Sequence, residues 1–288
     1  MSHCLQARQM SDIEFANWKS QFAANAPLPP QTQGAGGGDL NPLAQSLSPS
    51  LRKRERGDAS AYEVKFLLNE DQARQIEQIL AQHLQPDPHA DPNLQNAYQV
   101  HTVYCDTPGF DVFHQIGSHR RRKYRVRRYG QENWVFLERK TKSGQRVRKL
   151  RTRFDLDELH LLATPPADAD WSARWFHEQL DFRRLKPVCV VQYLRTAYIG
   201  GDAQGPLRLT FDRQVCGTVI NGWTIPETVT GELPFPDQVI GEFKFRGALP
   251  AMFKSVIQQF SLEPTGVSKY RNCLRVMGGA GERGVPHV

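Results

Sequence analysis

Apolar and polar positions alternate with a period of two over much of this chain, the signature of strands with one packed face and one polar face. The first such run is Tyr62–Leu68, followed by QVHTVYCD at 99–106, KYRVRRY at 123–129, NWVFLERKT at 133–141 and QRVRKLRTRF at 145–154. VCVVQYLRTAYIG at 188–200, LRLTFDRQV at 207–215 and VIGEFKFRG at 239–247 continue the series. Elsewhere the period lengthens to that of a helix. Asn69 and Gln72 have capping-box spacing and open a predicted helix over 70–84, with Ala73, Ile76, Ile79, Leu80 and Leu84 on one face. WSARWFHEQL at 171–180 reads as a second helix, and Pro250 starts another whose stripe is Met252, Phe253, Val256, Ile257 and Phe260. Seven or eight strands with about four helices, and no internal repeat, predict an α+β fold built on an antiparallel sheet or barrel.

Composition divides the chain. Residues 26–50 hold five Pro, four Gly and three Ser, too few apolar groups to offset ordering entropy. The expected organisation is therefore a disordered tail and basic junction over 1–57, a folded domain over 58–278 and a flexible tail over 279–288. Ser11–Phe22 could form a short amphipathic helix, and LRKRERG at 51–57 reads as a solvated basic run. No apolar stretch is long enough to span a bilayer, the longest lying around Val188–Leu194, and the start has no signal-peptide pattern. Five scattered cysteines with no CxxC pair exclude a disulfide framework and a zinc ribbon. A soluble, cytoplasmic protein is expected.

Charge is concentrated. The net charge is +7, yet residues 119–153 carry fifteen Lys or Arg against two acids, Glu132 and Glu138. Alternation sorts them: Lys123, Arg125 and Arg127 oppose Tyr124 and Val126, while Glu138 and Lys140 oppose Leu137 and Arg139. Arg146 and Arg148 are read as the cationic face of the third strand, opposite Val147. Later strands keep the habit, with Arg195 beside Tyr193, Arg208 in line with Asp212, and Glu242 with Lys244. A barrel that turned these faces inward would hold a polyanion, each charge-assisted phosphate contact contributing roughly 1.5–3 kcal/mol.

The residues that carry these positions resemble a known family. YEVKF at 62–66, KYRVRRY at 123–129, FLERKTK at 136–142, QYLRTAY at 192–198, LRLTFDR at 207–213, GEFKF at 241–245 and SKY at 268–270 are similar, in order, to the VTC domain. This is the polyphosphate polymerase domain of the triphosphate tunnel metalloenzymes, related to the CYTH phosphatases and cyclases. The resemblance covers about 60–276 and implies an eight-stranded antiparallel β-barrel, a triphosphate tunnel with flanking helices. The ExExK opening of the CYTH branch is departed from: Ala61 stands at its first acid, followed by Glu63 and Lys65.

By that similarity Lys65, Arg125, Arg127, Lys140 and Arg195 line the catalytic tunnel, and Arg148, Arg208, Lys244 and Lys269 bind substrate phosphates. Glu242 is the leading ligand for Mn²⁺ or Mg²⁺, with Glu63 and Glu138 behind it, because hard cations take oxygen ligands. Asp212 is expected to orient an arginine, and Tyr270 to pack. No P-loop, zincin or nucleophile-elbow motif competes. The expected activity moves the terminal phosphoryl group of a nucleoside triphosphate to a polyphosphate chain. Alternatives are hydrolysis of triphosphate or NTP, non-catalytic polyphosphate or phosphopeptide binding, and RNA binding through Tyr124, Tyr129, Trp134 and Phe136. Nucleic acid is not an expected partner; the eukaryotic relatives work in a membrane-anchored complex, so the resemblance leaves room for a membrane partner.

Overall fold

The structure, a computed structural model, describes residues 55–56, 62–143, 146–168 and 170–278. The expected tail over 1–54, the helix over 11–22, all of the basic junction but 55–56, and the tail over 279–288 lie outside the described residues.

Eight long strands make the fold: β2 (Tyr62–Asn69), β4 (Ala97–Asp106), β5 (Arg122–Tyr129), β6 (Trp134–Ser143), β7 (Arg146–Asp155), β8 (Lys186–Asp202), β9 (Gly205–Val219) and β10 (Gln238–Phe245). They pair antiparallel in the order β7-β6-β5-β4-β8-β9-β10-β2. Two short strands attach to this path. β1 (Glu55–Arg56) pairs with β7 and β3 (Gln85–Pro86) with β8. Glu55 and Arg56, expected in a solvated junction, thus belong to the sheet edge. Register shifts at Tyr104/Cys105 and at Gln192/Leu194 insert bulges, which bend a sheet.

The expected barrel is corrected in one respect. Among the described residues no ladder joins β2 to β7, so the sheet curls without closing by backbone pairing. Side chains span the gap instead: Lys140 Nζ of β6 lies 3.2 Å from Glu63 Oε2 of β2.

The helices cover the outer face. α1 (Glu70–Leu80) opens with the predicted capping box, Asn69 Oδ1 accepting from the Gln72 N–H and Gln72 Oε1 from the Asn69 N–H. It ends before Leu84, earlier than expected, and buries Ala73, Ile76 and Leu80 in the cluster that holds Val64, Phe66 and Leu68. α4 (Ala251–Gln259) adds Phe253, stacked 4.6 Å from Phe243. α3 (Arg174–Phe182) places Phe176 against Tyr124 of β5. Each fully buried side chain of this size contributes about 1.5–3 kcal/mol. Tyr124, offered at the sequence level as a base-stacking ring, is therefore core. A one-turn helix α2 (Asp111–His114) follows β4, held by the buried Asp106 carboxylate, which accepts from the Val112 and Phe113 N–H groups. The last helix, α5 (Lys269–Val276), approaches β9 where Gly217 sits; a Cβ there would lie 3.0 Å from Cys273 Cβ.

Candidate active site

With the apolar set of Val64, Phe66, Tyr124, Val126, Val135 and Leu137 committed to the core clusters, the other alternates share the concave face. Register defines them. Lys123 pairs with Lys140, Arg125 with Glu138 and Arg127 with Phe136 between β5 and β6. Lys140 then pairs with Lys149, Glu138 with Arg151 and Phe136 with Arg153 between β6 and β7. On the other arm Arg195 pairs with Asp212, Thr210 with Glu242, Arg208 with Lys244, Glu242 with Lys65 and Lys244 with Glu63. Residues more than a hundred positions apart thus line one concavity.

The centre is a two-glutamate, three-lysine cluster. Lys244 Nζ is 2.6 Å from Glu242 Oε1 and 3.7 Å from Glu63 Oε2. Lys65 Nζ is 3.3 Å from Glu63 Oε1 and 3.5 Å from Glu242 Oε2. Lys140 closes the set from β6. Burial by itself would raise the Glu63 carboxyl, but Lys140, Lys244 and Lys65 outweigh it and hold it well below the usual range. Glu242 is pushed up by burial and by Glu63, and is still held low by Lys244 and Lys65. Lys65 is lowered by burial and raised further by the two glutamates, so it stays charged. Lys140 is brought down to about 8 by burial against the pull of Glu63.

Around this cluster the guanidinium groups are held individually. Arg125 Nε donates to Glu138 Oε2 at 2.7 Å, and Lys149 Nζ lies 3.0 Å from Glu138 Oε1. Glu138 is fully buried; Arg125 and Lys149 overcome that burial and keep it ionised. Arg127 is buried and donates to Thr102 Oγ1 at 3.1 Å. Arg195 is bidentate to Asp212, at 2.6 and 2.8 Å, and Lys269 of α5 meets the same carboxylate. Arg208 lies 2.8 Å from Asp87 and donates to the Tyr98 hydroxyl at 3.1 Å.

The VTC-domain family model matches residues 60–278. The chain belongs to that family. No curated protein sequence matches it. Among solved structures, a candidate adenylate cyclase from Bacillus halodurans is 14% identical, covering 72% of this chain and 92% of its own, with a TM-score of 0.41. A protein from Pyrococcus horikoshii is 15% identical over 74% of this chain and 99% of its own, with a TM-score of 0.38. A Hippeastrum protein, a candidate adenylyl cyclase described with a dominant triphosphatase activity, is 13% identical over 74% and 94%, with a TM-score of 0.38.

In this VTC domain Lys65, Arg125, Arg127, Lys140, Arg195, Arg208, Lys244 and Lys269 all reach the concave side, as do Glu63, Glu138 and Glu242. Arg148 does not. It pairs with Thr141, shares its face with Leu150, Thr152 and Phe154, and is exposed on the outside. The inward cations of β7 are instead Lys149, Arg151 and Arg153, the last two stacked 4.3 and 4.4 Å over Phe136 and Trp134. The alternation of Leu150 and Phe154 carried that signal, since strand residues two apart share a face.

Glu138 is the most enclosed of the three expected metal-binding carboxylates, with no side-chain exposure. Both of its oxygens face cations. The described residues contain no group of three His, Cys, Asp or Glu placed to hold a metal. Glu63 and Glu242 are the two carboxylates that stand together. Two carboxylates with phosphate oxygens and water completing the shell suit Mg²⁺ or Mn²⁺. Asp212 orients Arg195, and Tyr270 packs with its hydroxyl donating to Asp106.

Proposed function

We propose that this chain is a metal-dependent phosphotransferase that moves the terminal phosphoryl group of a nucleoside triphosphate onto a polyphosphate chain. The observation that supports it best is the concave face itself. Its cations outnumber the carboxylates Glu63, Glu138, Asp212 and Glu242, and they come from seven strands and one helix. Buried like charge of that kind is relieved by a polyanion.

The chemistry asked of the residues is positioning and charge neutralisation, which carry most of phosphoryl transfer. Arg125, Arg127 and Arg195 offer planar forks to phosphate oxygens; Lys65, Lys140, Lys244 and Lys269 offer mobile point charges. Glu63 and Glu242 would hold Mn²⁺ or Mg²⁺, which supplies charge stabilisation at the phosphoryl oxygens. The terminal oxygen of the acceptor chain is already anionic. It forms the new P–O bond, the bond from the γ-phosphorus to its bridging oxygen breaks, and the nucleoside diphosphate leaves as an anion. No proton has to move, which suits a site whose glutamates are all held ionised.

The test is to incubate the purified chain with ATP and Mn²⁺, then Mg²⁺, and to follow ADP, free phosphate and acid-stable polymer together. ADP with polymer and little free phosphate is expected. ADP matched by free phosphate would make the protein a hydrolase. Tight polyphosphate binding without ADP release would make it a receptor.

A further inference from the structure

The outer face carries an open groove of about 540 Å³ between the turn after β4 and the end of α3. It lies on the side away from the concave face: Arg183 of its wall donates from Nε to the hydroxyl of Tyr124, the core ring packed on Phe176. Phe182 forms one lip and is 78% exposed, the most of any large apolar side chain among the described residues. Ile116, also exposed, stands just before Ser118 and His119, which line the groove as well. The charge around this apolar opening is positive. Arg183 and Arg184 line it, and exposed Arg120 and Arg121 continue the turn that holds Ser118 and His119. None of these four arginines has a carboxylate within ion-pair distance among the described residues. The carboxylate of the lining, Asp111, accepts from the Thr107 hydroxyl at 2.9 Å.

The chain itself supplies a segment of matching chemistry, outside the described residues. Residues 1–54 hold three acids and three aromatic side chains. Two of those acids, Asp12 and Glu14, and all three aromatics, Phe15, Trp18 and Phe22, fall within residues 11–22. Phe15, Trp18 and Phe22 are spaced three and four apart, the spacing of one helix face, and Ser11 with Glu14 has capping-box spacing at its start. So short a helix is marginal alone in water, and its aromatic stripe needs a surface to pack on. The tether is long enough to reach one. About 33 residues lead from Phe22 to Glu55 at the β7 edge and span up to about 110 Å, against on the order of 45 Å across a domain of this size.

We propose that residues 11–22 dock as a helix onto this groove of their own chain, with Phe15, Trp18 and Phe22 packing against Phe182 and Ile116 and the acidic first turn meeting the arginine rim. The surface is separate from the phosphate tunnel and does not depend on how the tunnel is read. Docking covers two of the five exposed large apolar side chains and brings Asp12 and Glu14 to arginines that lack an acidic partner. Shape favours this occupant over a lipid surface, since a groove receives the ridge of a helix and a bilayer offers a flat face. Chemistry favours the groove over the concave face as the place where the segment lands. Three aromatic rings with two carboxylates match an apolar opening rimmed by cations, whereas the concavity offers mainly charge.

Amide hydrogen exchange on the full chain tests this, with Phe182→Ser, Arg184→Glu and the charge-exchanged pair Glu14→Arg with Arg184→Glu. Phe182 and Arg184 are exposed, so these variants are expected to fold as the parent does. In the parent, residues 12–22 should exchange roughly tenfold more slowly than the same segment as a free peptide. Phe182→Ser should lose that protection, Arg184→Glu should lose most of it, and the charge-exchanged pair should regain it. Residues 12–22 that exchange like the free peptide in the parent, or protection that Phe182→Ser leaves unchanged, would overturn the proposal. Protection that grows with protein concentration makes a second copy the occupant. Adherence to anionic phospholipid vesicles that Phe182→Ser abolishes, with residues 12–22 unprotected, makes it a lipid surface. Either result overturns docking within one chain, and both leave the tunnel reading intact.

Discussion

Two glutamates of similar appearance have different work at the scale of single residues. Glu138 is enclosed by Arg125 and Lys149, and truncating one member of a buried ion pair leaves an uncompensated charge. Glu138→Ala is therefore expected to cost about 3–5 kcal/mol of stability, read as a shifted denaturant midpoint. Glu242 is different, because its lysines can transfer to substrate. Glu242→Gln is expected to fold, to lose most phosphoryl transfer (about a hundredfold), and to need more Mn²⁺ for what remains, about the effect of losing a key charge-stabilising group. A Glu242→Gln enzyme with the parent's metal dependence would remove this residue from the metal site. Arg148 supplies the outward control: Arg148→Ala should leave polyphosphate affinity within about twofold, the ordinary outcome for an exposed side chain. Arg195→Ala should weaken it well beyond that, because it removes a cationic fork from the tunnel and leaves the buried Asp212 carboxylate to Lys269 alone.

Elements show how much local pattern can carry. The capping box at Asn69 and Gln72, the alternation of β2, β5 and β6, and the apolar stripe of α4 were all legible, because each depends on neighbours a few residues away. Asn69→Ala is expected to lower stability by about 1 kcal/mol with no change in phosphate affinity, since the cap touches only its own helix. A change in affinity would mean that α1 positions the tunnel. One helix was missed and one strand face was misread. α5 hid inside SKY, whose resemblance pointed to a tunnel lysine; its Tyr270, Cys273 and Leu274 stripe is short, and what seats it is Gly217 on a distant strand. β7 was assigned its inward face from Val147 at its start, whereas Leu150, Thr152 and Phe154 share the face of Arg148, so Arg148 was taken for Lys149. The pairing of Lys140 with Lys149 fixes that parity, in agreement with the outward Leu150 and Phe154.

For the whole molecule, stability, pH and ligand are coupled through the concave face. Glu63 and Glu138 have folded pKa values below their usual 4.5. Their contribution is complete above that value and is lost as pH falls through the folded values. Lys123 and Lys140 work the other way, lowered to about 7 and about 8 from 10.5. Between those values and 10.5 the unfolded chain binds the protons that the folded chain sheds, so stability rises with pH across that window. The melting temperature without ligand is thus expected to climb between about pH 7 and pH 10, and polyphosphate should raise it most at the lower end, where the cations repel one another most. A profile that is flat there, with no polyphosphate effect, would contradict a concavity strained by its own charge. The effect should shrink with added salt, which screens the partly exposed members of the set.

The sequence alone determined the strands, their polar and apolar faces, the helix cap and the excess of cations, because each is written in spacings of two to four residues. Its ordered motifs were also enough to point to the VTC family. Only the tertiary structure decided which carboxylates meet. Glu63 and Glu242 stand together and Glu138 is enclosed by Arg125 and Lys149 because β10 pairs with β2 while β6 pairs with β5 and β7. Likewise Lys123 finds Ser268 and Arg271, 145 and 148 positions away, only because the curled sheet carries α5 to it. Such contacts join residues too far apart for any local period to record, and it is the curl of the sheet that turns alternating strands into one charged concavity.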